Sequence, residues 1–135
     1  MARRLAVDMA FFFAVFLAFA EVVRNWGDWG FWPFWVVDYI AVALLLIGWR
    51  ASQSAKPWAS AFLAGGWGFT CAMFYMSFFS HLEIIEQPDH GPIEQRPLTL
   101  IIGVLFAITI VGFASAIIAA IPDGPHVAEA TSRPD

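Results

Sequence analysis

Charged residues are scarce: they make up only 13% of the 135 residues. A soluble domain averages about 25% charged residues, so this chain is not a soluble globular domain. Cysteine is nearly absent. The single Cys71 excludes an internal disulfide and a cysteine metal cluster within one chain. The 7 Lys and Arg residues never form a run and the net charge is -4, which excludes nucleic acid as a partner, because phosphate binding needs a clustered basic surface. No nucleophile triad, paired-histidine metal motif or phosphate-binding glycine loop is present. Gly65-Gly66-Trp67-Gly68 lies inside an apolar run with no basic neighbour and reads as a packing feature. Hydrolytic and phosphoryl-transfer enzymes are therefore not indicated.

What the sequence does have is length in apolar runs. Hydrophobic residues make up 60% of the chain and the mean hydropathy is +0.70. Four stretches, residues 5–23, 34–49, 58–80 and 98–121, match the roughly 20 helical residues that a hydrocarbon core of about 30 Å requires. Pro33, Pro57 and Pro97 each stand at the start of a run, where a missing N–H costs no helical hydrogen bond, and Pro122 follows the last run. The expected fold is all-α: an integral membrane four-helix bundle made of two antiparallel transmembrane hairpins. Residues 1–121 form its single domain, and residues 122–135 are read as a short disordered cytoplasmic tail. Alternating spans place Arg3, Arg4, Arg50, Lys56 and Arg133 on one side and Arg24 and Arg96 on the other, which puts both termini in the cytoplasm of a multi-pass inner or plasma membrane protein.

The N-terminus resembles a signal peptide, with Arg3 and Arg4 before an apolar run and Ala18-Phe19-Ala20 as a small-residue site. Asp8 interrupts that run and the hydrophobic pattern continues through Val22 and Val23, so the first span is read as retained. Trp26, Trp29, Trp32 and Trp35 recur every third residue, and Trp49 and Trp58 bracket the next connection. Indole rings settle at membrane interfaces, so this repeat reads first as anchoring and second as an aromatic platform for a ligand, quinone or partner helix.

Helices in lipid pack through small residues. Ala10, Ala14 and Ala18 mark such a face on the first helix; Ala61, Gly65, Gly68 and Ala72 mark one on the third, and Gly112 with Ala116 one on the fourth. At about 100° per residue, Glu21 falls within about 20° of Ala10 and Ala14, while Asp8 lies about 160° away among phenylalanines. Thr70, Ser77 and His81 make a polar lane on the third helix. Glu21, Asp38 and His81 are expected at one membrane level, with Arg24 and Tyr39 near in sequence, and form the best candidate site for a proton, cation or ligand. The alternative is that Glu21 pairs with Arg24 while Asp38 staples the hairpin near the headgroups.

His81, Glu83, Glu86, Asp89 and His90 carry metal-ligating side chains, although no known ligand spacing is met and a solvated acidic loop explains them as well. No cofactor is evident, and haem within one chain is disfavoured because only His81 borders a span. Three functions follow in order. The first is an oligomeric or accessory subunit whose partners are the bilayer and either its own copies or a larger membrane protein. The second is a proton- or cation-coupled transporter or channel using Glu21 and Asp38. The third is a lipid- or quinone-linked membrane enzyme or redox module.

Overall fold

A computed structural model describes residues 1–25, 32–86 and 94–121. The chain forms four helices, α1 (Ala2–Asn25), α2 (Trp32–Gln53), α3 (Ala59–Glu83) and α4 (Gln95–Ala120). Each is long and apolar enough to cross a membrane, consistent with a multi-pass membrane protein. The tail expected to be disordered lies outside the described residues, as do Trp26 and Trp29.

Every helix is longer than its apolar run. The second, only 16 residues by hydrophobicity, becomes a helix of 22 residues because Trp32 and Pro33 open it and Ala51 to Gln53 close it. Pro33 and Pro97 both sit in a first helical turn, whose N–H groups have no intrahelical partner in any case. The turn between α2 and α3 is built around Ala55, whose φ of 49° is left-handed. Lys56 N–H donates to Ala51 O at 3.1 Å, and Ser54 N–H to Arg50 O at 3.2 Å, which closes the end of α2 on its own last carbonyls.

The helices stand in a ring, with α1 against α2 and α4, and α3 against α2 and α4; α1 and α3 also meet across the diagonal. Their core is Ala6, Ala10, Phe13, Ala14 and Leu17 of α1, Ala41, Val42 and Leu45 of α2, Leu63, Ala64, Trp67 and Phe74 of α3, and Ile102 and Ala116 of α4. Trp67 is the largest side chain with no exposed surface, and it organises the middle of that core. Its ring centroid is 5.5 Å from that of Phe13, which in turn meets Phe74 edge-on at 5.5 Å. The indole N–H donates to the Ala6 carbonyl oxygen at 3.1 Å, so the one polar atom of this ring is satisfied across the bundle.

Close approach is purchased with glycine at two of these contacts. A Cβ on Gly112 would fall 2.7 Å from the Trp67 ring, and one on Gly48 would fall 2.8 Å from Leu63 Cδ1. Ala10 and Ala14 lie on the packed face of α1, with Ala18 half-buried, and Gly112 packs as its residue type suggested. The stripe on α3 requires correction. Ala61, Gly65 and Ala72 point outward, with nothing within 4 Å of a Cβ at Gly65; Gly68 alone lies against a neighbour, Phe113, at 3.1 Å. The packed face of α3 instead carries Leu63, Trp67, Thr70 and Phe74. A large aromatic takes the position expected of a small residue because Gly112 on the facing helix supplies the room.

Candidate functional site

Glu21, Asp38 and His81 lie toward the same end of the bundle, near the C-terminus of α1, the N-terminus of α2 and the C-terminus of α3. Glu21 stands about four residues, or about 6 Å, from the end of α1; Asp38 stands about 9 Å from the start of α2. Both carboxylates are half-buried, on helices that pack side by side. Tyr39, next to Asp38, is turned outward and 41% exposed, so it does not join the group. Arg24 is in the last turn of α1, and its side chain lies outside the described residues.

The lane on α3 runs along its packed face. Thr70 is fully buried and donates to Gly66 O of its own helix at 2.8 Å. His81 Nδ1 lies 2.8 Å from Ser77 O. A carbonyl oxygen only accepts, so Nδ1 carries the proton and is the donor in this contact. The His81 backbone ties α3 to α4, because its carbonyl oxygen receives Gln95 Nε2 at 3.4 Å; Thr99 Oγ1 lies 3.5 Å from the same oxygen but gives its one hydrogen to Gln95 O. These contacts were not evident in the sequence, because Gln95 and Thr99 are ordinary helix-start residues until α4 folds against α3.

Buried hydroxyls elsewhere are also served by their own helices. Thr99 Oγ1 donates to Gln95 O at 2.8 Å and Thr109 Oγ1 to Phe106 O at 2.7 Å. Among the described residues no buried side-chain nitrogen or oxygen lacks a hydrogen-bond partner. A conduction path or polar ligand pocket needs donors and acceptors turned toward the space between helices. Thr70, Thr99 and Thr109 instead turn back onto their own backbones.

The metal-ligating set is dispersed among the residues described. Glu86 forms an exposed, two-pronged pair with Arg96 at 3.1 Å, Glu83 is exposed, and His81 is half-buried. Asp89 and His90 lie outside the described residues. No group of three metal-ligating side chains gathers among the rest. At the opposite end of the bundle, Trp49 packs on Phe11 at 4.8 Å and Trp58 on Phe62 at 5.6 Å. Compared with known protein families, curated proteins and solved structures, the chain matches none.

Proposed function

We propose that this chain is an accessory, structural subunit of a larger membrane assembly, inserted in the inner or plasma membrane with both termini in the cytoplasm. The observation that carries this reading is the Trp67 plug: the space between the helices is filled there by an indole held by Ala6, Phe13 and Gly112, and the buried hydroxyls are satisfied locally. Such an interior supports rigidity more than passage of a solute. The outward faces, rich in Phe, Ile and Val, supply the surface for lipid and for neighbouring helices.

The test is reconstitution of the purified chain in liposomes with a pH- or potential-sensitive dye. The accessory reading expects no flux above that of empty vesicles. Proton or cation movement that Glu21→Gln abolishes replaces this reading with transport.

A further inference from the structure

The outward face of α1 carries a second, unused packing seam. Leu5, Asp8, Phe12, Val15, Phe19 and Val22 follow one another in alternating steps of three and four residues. At about 100° per residue they fall within an arc of about 100°, opposite the core stripe of Ala10 and Ala14. All six are exposed, Phe12 and Phe19 by 70% and 68%. Positions at these steps line one side of a helix, so this exposed row is placed to run along a neighbouring helix.

The seam contains one charged residue. Asp8 stands about 9 Å from the start of α1, inside the stretch long and apolar enough to span a membrane. Among the described residues it makes no ion pair or hydrogen bond, and Arg4, one turn earlier, does not reach it. A carboxylate facing hydrocarbon is costly, and such groups ordinarily find a partner within the membrane. A single polar residue in an apolar seam also fixes the register of the helix that binds there. A symmetric pairing of two α1 helices would set Asp8 against Asp8, like charge against like charge, at one layer of the seam.

We propose that the Leu5–Val22 face of α1 docks a transmembrane helix of another protein that bears a basic side chain at the depth of Asp8. The proposal rests on the accessory reading and gives that reading its contact surface. The partner is recognised by shape along the seam and by one buried charge pair at its N-terminal end.

The probe is a synthetic leucine-rich single-span helix, labelled for energy transfer, with one lysine about 9 Å from the end matching the N-terminus of α1. It is titrated in vesicles against the full chain carrying a fluorescent tag at its C-terminus. The lysine helix binds roughly tenfold tighter than the same helix with leucine in that place, as a membrane-buried polar contact of ordinary strength gives. Asp8→Asn removes the discrimination, Asp8→Lys restores it toward a probe carrying glutamate, and Ile118→Ala on the outward face of α4 changes nothing. Equal affinity of wild type for both probes overturns the proposal, as does energy transfer between copies of the chain that depends on Asp8. Loss of probe discrimination in a chain that conducts nothing rejects the seam alone; flux through the chain alone rejects the accessory reading, whatever the probe does.

Discussion

The indole N–H of Trp67 on α3 donates to the carbonyl oxygen of Ala6 on α1 at 3.1 Å, joining two helices that face each other across the bundle. Ala6 has no exposed surface and neither has Trp67, so the bond is shielded from solvent and lipid alike. Replacing the indole by a smaller ring that lacks the donor, Trp67→Phe, lowers stability by about 1–2 kcal/mol through the lost interhelical bond. Trp67→Ala, which also opens a cavity beside Phe13, lowers it by about 3–5 kcal/mol. Unfolding in mixed micelles by titration with a denaturing detergent measures both. Equal stability of Trp67→Phe and wild type shows that the bond contributes nothing.

Gly112 and Gly65 separate a packed small residue from an outward one. Gly112→Ala forces its methyl into the Trp67 ring, already only 2.7 Å from an ideal Cβ, and destabilises the bundle by about 1–3 kcal/mol. Gly65→Ala meets open space and stays within about 0.5 kcal/mol of wild type. The same detergent titration checks the pair, and a reversed order contradicts the packing described for α3.

Thr109 tests whether the buried hydroxyls are self-contained. Its Oγ1 donates to Phe106 O in its own helix, so Thr109→Val removes a local bond while keeping the side-chain volume. The expected loss is under about 1 kcal/mol. A loss of several times that size shows that the hydroxyl belongs to a network between helices.

Ala55 adopts a left-handed conformation at the turn from α2 to α3. Glycine carries no Cβ penalty there, so Ala55→Gly stabilises the hairpin by about 0.5–1 kcal/mol despite the greater freedom glycine gives the unfolded chain. Thermal melting of the purified variant in detergent reads the change, and a lower melting temperature contradicts the turn geometry.

The four long apolar helices were legible because their length and hydrophobicity match what a hydrocarbon core requires. The facing of α1 was legible too: Ala10 and Ala14 pack, Asp8 points outward, and Glu21 is half-buried on the packed side. The facing of α3 was not. That helix is apolar all round, and in a membrane its apolar outer face carries no penalty, so hydrophobic periodicity does not distinguish inside from outside. Small residues were a misleading guide there, since room at the contact comes from Gly112 on α4 and Trp67 fills it. A tryptophan in mid-span, away from the interface its N–H prefers, was the available signal. At the candidate site, the common end of Glu21, Asp38 and His81 followed from helix alternation, whereas the bond from Gln95 to the His81 carbonyl depends on how α3 and α4 approach each other.

The most direct measurement is the intact mass of the complex released by gentle detergent extraction of the tagged full-length chain. The accessory role predicts a particle containing this 15.0 kDa chain and a different membrane subunit in fixed ratio. Particles whose masses are only whole multiples of the chain itself contradict it.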